Sequence, residues 1–136
     1  MLDTLAKIYD NSGRLAGVTY TLFGRDPRFV TAIGLRFELV SAVFRAVADD
    51  DTLAASLGTL RPTPDETLTE AVGFAPWSGC IGLSICWAWR LTNHQGYTDG
   101  VRLEFGERGQ EPHTVVELIV AASAIRTFVA VPGGAA

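Results

Sequence analysis

The side chains best equipped for chemistry lie in one polar stretch: Thr92, Asn93, His94, Gln95, Gly96, Tyr97, Thr98, Asp99 and Gly100. Two amides, an imidazole, a phenol and a carboxylate make a versatile hydrogen-bonding set. Histidine suits proton transfer because its ordinary pKa, about 6.5, lies near neutrality. A catalytic reading therefore takes His94 as general base near Asp99, or Cys80 or Cys86 as nucleophile. Against it, no Gly-Xaa-Ser-Xaa-Gly elbow or equivalent nucleophile motif occurs. Cys86 also stands between two apolar residues, as a small packing group does. The simpler use of the stretch is structural, with Asn93 and Asp99 bonding local backbone, Gly96 and Gly100 supplying unusual φ, and Tyr97 lying over the core. Long loops held by rigid strands also carry binding, and that makes His94, Tyr97 and Asp99 candidate partner-binding residues.

Metal binding would need His94, His113 and a carboxylate to converge, yet neither histidine has a paired spacing such as His-Glu-Xaa-Xaa-His. Asp49, Asp50 and Asp51 resemble half of a calcium loop but lack the alternating ligands and the distal Glu, so a solvated turn is expected. Gly79 and Gly82 precede a strand, whereas phosphate cradles lead into a helix. No metal and no cofactor is expected.

The element that must hold the polar stretch is a hairpin. Every odd position from Ile81 to Leu91 is large and apolar, with Gly82, Ser84, Cys86, Ala88 and Arg90 between. This period of two marks a strand with one buried face. The alternation resumes at Val101, Leu103 and Phe105, so the runs read as antiparallel partners. Setting Arg90 opposite Glu104, Leu91 opposite Leu103 and Trp89 opposite Phe105 pairs unlike charges, worth roughly 0.2–1 kcal/mol, and avoids Arg90 against Arg102. Trp87 and Trp89 are expected in the core. The thin reverse face of Gly82, Ser84, Cys86 and Ala88 is a possible homodimer interface.

Elsewhere, Leu15–Phe23, Phe29–Leu39, Thr114–Ala121 and Ile125–Val131 read as strands, and Val40–Ala48 fits either a helix or a strand, with strand preferred because a helix ending there would set Asp49–Asp51 at its negative pole. Leu2–Tyr9 fits either a helix or a strand, and strand is preferred, closing an opening hairpin across Asp10–Gly13. Asp49–Asp51 is read as capping a short helical turn over Thr52–Leu57, and Thr63, Pro64 and Glu66 as a capping box for a helix over Pro64–Val72. Trp77 falls in the loop before the central hairpin. The expected class is α+β, mainly β: a curved antiparallel sheet or half-barrel with one or two short helices. Residues 1–131 form one domain and 132–136 a mobile tail.

With 136 residues, a net charge of −4 and dispersed basic residues, the chain lacks the electrostatic footprint of a nucleic-acid binder. No apolar stretch is long enough to span a membrane and no secretory segment opens the chain, so a cytoplasmic location with both cysteines reduced is expected. The string Trp87, Trp89, Asn93, Gly96, Tyr97, Asp99, Gly100, Phe105 resembles a pattern in small, mostly uncharacterised bacterial cytoplasmic domains, some of which neighbour or neutralise toxins as immunity proteins. The resemblance implies a binding protein and transfers no catalytic residue. The expected function is thus a non-enzymatic protein-binding domain, of immunity type, meeting a basic partner through Asp49, Asp50, Asp51, His94, Tyr97 and Asp99. The alternative is a small enzyme or ligand-binding protein with a pocket near Trp77, His94 and Tyr97.

Overall fold

The computed structural model describes residues 1–130. The chain runs α1 (Leu2–Asn11), β1 (Leu15–Phe23), β2 (Val30–Phe37), β3 (Ser41–Val47), β4 (Thr52–Leu57), β5 (Glu66–Glu70), β6 (Ser84–Thr92), β7 (Thr98–Gly106), β8 (Thr114–Ala121) and β9 (Ala124–Ala130), with one 3-10 turn at Trp77–Gly79. The mainly β, α+β class expected from the sequence is what the chain adopts, its strands divided between two antiparallel sheets that do not close into a barrel. One sheet has the order β4-β3-β2-β1-β5 and the other β6-β7-β8-β9. They join at a corner, where Leu15 N–H donates to Leu83 O (2.8 Å) and Gly82 N–H donates to Leu15 O (2.9 Å).

The core lies between the sheets. Val18, Ile33, Leu35 and Phe44 from the first meet Ile85, Val101, Leu103, Phe105 and Leu118 from the second, and all are buried. Trp77, fully buried, stands edge-on to Phe105 with ring centroids 6.2 Å apart, and its indole N–H donates to the Tyr20 hydroxyl. Burial raises the Tyr20 pKa above its ordinary value, against the lowering effect of hydrogen bonds with Trp77 and Thr127.

Three segments differ from the expected elements. Residues 2–11 are helix rather than strand, so there is no opening hairpin: Leu5 and Ile8 form one buried stripe against the core, which three alternating residues cannot outweigh. Thr52–Leu57 is a strand on the first sheet's edge, pairing Ala42 with Leu57 and Val47 with Thr52, and the three aspartates form its hairpin turn. Pro64–Val72 is not a helix, since Glu66–Glu70 pairs with β1. Glu66 does accept from Thr63 N–H (2.9 Å) as a capping box would, but its own N–H closes a turn on Thr63 O (3.0 Å). Its other oxygen takes Arg45 (2.9 Å) and Thr31 from neighbouring strands, so tertiary contacts override the local signal.

The central hairpin forms, in a different register. Its pairs are Ile85 with Phe105, Trp87 with Glu104, Ala88 with Leu103, Trp89 with Arg102 and Arg90 with Val101, with an irregularity between Ile85 and Trp87. Cys86 is the extra residue of this bulge, and an extra residue swaps the faces beyond it. Trp87 and Trp89 therefore point outward, 48% and 51% exposed, instead of into the core, and Ala88 takes the inward side against α1. The thin face breaks up for the same reason, because Ala88 packs against the core and Gly82 lies in the turn before β6. Thr98, Asp99 and Gly100 belong to β7, which shortens the loop to residues 93–97. Val131, expected to end the last strand, and the expected mobile tail at 132–136 lie outside the described residues.

Candidate functional site

Of the predicted binding residues, His94, Tyr97 and Asp99 fall at one end of the second sheet. Gly100 pairs with Ile119, and the β8–β9 turn at Ala122–Ser123 follows, so that turn lies beside the 93–97 loop. Ser123 N–H donates to the Asp51 carboxylate (2.8 Å), which ties the acidic turn of the other sheet to the same end. Asp50 accepts from the Thr52 hydroxyl (2.6 Å) and N–H (3.2 Å), and Asp49 and Asp50 are exposed. Within the loop, Asn93 Oδ1 accepts from Gln95 N–H (2.9 Å) and Tyr97 N–H (3.2 Å), while Asn93 Nδ2 donates to Asp99 (3.4 Å). The structural use of Asn93 thus coexists with presentation, for His94 and Tyr97 are left exposed.

Trp87 and Trp89, expected in the core, lie instead on the outer face beside this loop. Across it the strands line up Trp89, Arg102, Glu117 and Phe128 in one row and Trp87, Glu104 and Val115 in the next. Trp89 Nε1 donates to Glu104 (2.8 Å), and Arg102 bridges Glu104 (3.3 Å) and Glu117 (3.8 Å). Trp89, Arg90, Leu91, Arg102, Glu104 and Glu117 line a shallow depression of about 400 Å³. With Trp87, Trp89 and Phe128 each about half exposed, the face offers three aromatic rings around a fixed charge network. The signal that could have found it is the indole N–H: two tryptophans in a wholly apolar core would have lacked acceptors.

The profile of a family of unknown function, DUF6334, matches residues 5–132. The chain belongs to that family. No curated protein and no solved structure matches it.

The alternative pocket does not assemble. Trp77 packs against Phe105, at the opposite end of β7 from the loop that carries His94 and Tyr97, about 23 Å along a strand of this length. Asp99 faces Asn93 rather than His94. Both thiols are free, and burial pushes Cys80 up to about 12 and Cys86 upward, the latter with help from Glu104 and Glu107. Thiols so raised stay protonated at neutral pH, which is the reverse of nucleophile activation. Among the described residues no three His, Cys, Asp or Glu side chains come together as metal ligands, and no helix is long and apolar enough to cross a membrane.

Proposed function

We propose that the chain is a non-enzymatic protein-binding domain. Its contact surface runs from the Asp49–Asp51 turn and the 93–97 loop, with His94, Tyr97 and Asp99, onto the outer face that carries Trp89, Arg102 and Phe128. The observation that supports it is this continuity: the Asp51–Ser123 hydrogen bond and the β7–β8 register set an acidic rim against exposed aromatics. Exposed Trp and Arg around a desolvatable centre are the residue types on which protein contacts concentrate their energy, and a charged rim speeds association. The partner is basic, and an immunity-type inhibitor of a basic toxin is the specific form of this reading. No nucleic acid, membrane or cofactor enters it, and the two free thiols suit a cytoplasmic location.

Capture from a lysate of the native host, followed by association kinetics with the captured protein, tests the proposal. Asp49→Lys with Asp50→Lys is expected to slow association at least several-fold and flatten its salt dependence, while Trp89→Ala speeds dissociation. An association rate and salt dependence unchanged by the charge reversal would refute the acidic rim.

A further inference from the structure

The first sheet carries a second concave feature on its own outer face, away from the surface just described. Residues 58–64 cross that face as a strap from edge strand β4 to edge strand β5, and Leu60 in the strap is buried. The floor is thin. A methyl at Gly34 would lie 2.8 Å from Leu60 Cβ and 2.9 Å from the Thr19 hydroxyl, and one at Gly17 would lie 2.7 Å from Arg36 Nη2. Gly34 therefore lets the strap settle on the sheet, and Gly17 lets the Arg36 guanidinium lie flat across β1. Between them remains a cleft of about 190 Å³ lined by Thr19, Arg36, Ser41, Leu60, Leu68 and Glu70, among others. That is below the roughly 300–1,000 Å³ typical of drug-sized ligands, so an occupant must be small.

The charges that border it are opposite and unsatisfied by each other. Arg36 makes one long hydrogen bond, from Nη2 to Ala16 O (3.4 Å), and among the described residues neither Arg36 nor Glu70 forms an ion pair. Gly17 pairs with Arg36 and Thr19 with Glu70, on opposite sides of β1. Two strand spacings across and two residues along put their Cα atoms roughly 12 Å apart. Both side chains line the cleft, the Arg36 guanidinium reaching over Gly17 on β1 and Glu70 standing on the neighbouring β5, so a cation and an anion border it together with hydroxyls and leucine side chains.

We infer that this cleft binds a small zwitterion, an α-amino acid with an apolar side chain, its carboxylate on the Arg36 fork and its ammonium on Glu70. A planar guanidinium suits a carboxylate bidentately, and a site of net zero charge with separated poles favours a zwitterion over a simple anion or cation. Leu60 and Leu68 supply the apolar wall. The inference stands apart from protein binding, which uses the outer face and loop of the other sheet together with the Asp49–Asp51 turn, none of which lines this cleft.

Calorimetric titration of the full chain with leucine, valine and methionine tests it, with N-acetyl-leucine and leucinamide as probes that lack one charge each. Saturable binding of at least one free amino acid at millimolar or lower concentration is expected, with both leucine derivatives at least tenfold weaker. Arg36→Gln is expected to remove the advantage of leucine over leucinamide, and Glu70→Gln its advantage over N-acetyl-leucine, each variant keeping the parent melting temperature to show that the fold survives. No saturation with any of the three amino acids, or binding indifferent to both substitutions, overturns the proposal.

Discussion

Glu66 should be a main anchor of the β5 edge, and Glu66→Gln measures how much it holds. Its side chain is only 6% exposed, and it receives Arg45, Thr31 and the Thr63 N–H. Glutamine keeps the shape and one acceptor but loses the charge. Hydrogen bonds to charged groups contribute about 1.5–3 kcal/mol, whereas the Arg45 half of the pair is 34% exposed and its Coulombic share is screened to about 1 kcal/mol or less. Since the amide still accepts one bond, the expected loss is about 1–2 kcal/mol, or roughly 4–8 °C in Tm for a chain of this size.

The pH dependence separates charge from shape. Burial pushes the Glu66 carboxyl upward, but the bonds from Thr31, Thr63 and Arg45 together outweigh it and leave the pKa below its ordinary value of 4.5. A depressed folded-state value means that the ionised carboxylate stabilises the fold fully above the ordinary value and loses that contribution as pH falls through the folded one. Thermal melts of parent and variant should thus differ near neutrality, and the difference should shrink as the pH falls below the ordinary value of 4.5. No difference near neutrality, or a gap unchanged by acid, would refute the anchoring role.

The tryptophans divide sharply. Trp77→Ala should cost about 3–5 kcal/mol in urea unfolding, whereas Trp89→Ala should cost about 1 kcal/mol or less, and iodide should quench two indoles and spare one. A reversal of those costs would show that the outward assignment of Trp87 and Trp89 is wrong. In native protein at mildly alkaline pH, Cys86 should react with a thiol reagent more slowly than a free thiol, while Cys80, pushed up to about 12, reacts only after unfolding. Two equally fast equivalents would contradict this.

What was legible in the sequence is what contrast between neighbours encodes. β1, β2 and β8 show long alternation or dense β-branched runs and form where expected, β7 does so from Val101 onward, and β3, open to helix or strand by its own residues, was decided by the aspartates that follow it. β4 reads Thr-Leu-Ala-Ala-Ser-Leu, whose small residues carry no period, and β5 imitates a helix start through Thr63 and Glu66. Both are edge strands whose partners, not their own residues, decide them. The polar loop and acidic turn were legible as compositions, and their shared end was not, because Asp51 and Ser123 are far apart in sequence. Arg36 and Glu70 were invisible for a stronger reason: they face one cleft only because β5 returns to the far side of β1.

The outer aromatic face turns on a single position. β7 keeps unbroken alternation, with Val101, Leu103 and Phe105 all inward. A β6 without interruption would have to send Ile85, Trp87 and Trp89 inward together, into space that Trp77 and α1 already fill. Inserting Cys86 as an unpaired residue keeps Ile85 over Phe105 and gives the next inward place to Ala88, small enough for α1 to approach. The indoles then meet groups that satisfy or pack them outside: Glu104 accepts from Trp89, and Tyr9 meets the Trp87 ring at 5.3 Å. Apolar patterning states that a residue has a side to bury, and in this strand the bulge decides which side. Trp87 and Trp89, which look like core, thereby become surface while Ile85 stays buried, and the proposed binding face follows from a change of parity rather than from any motif.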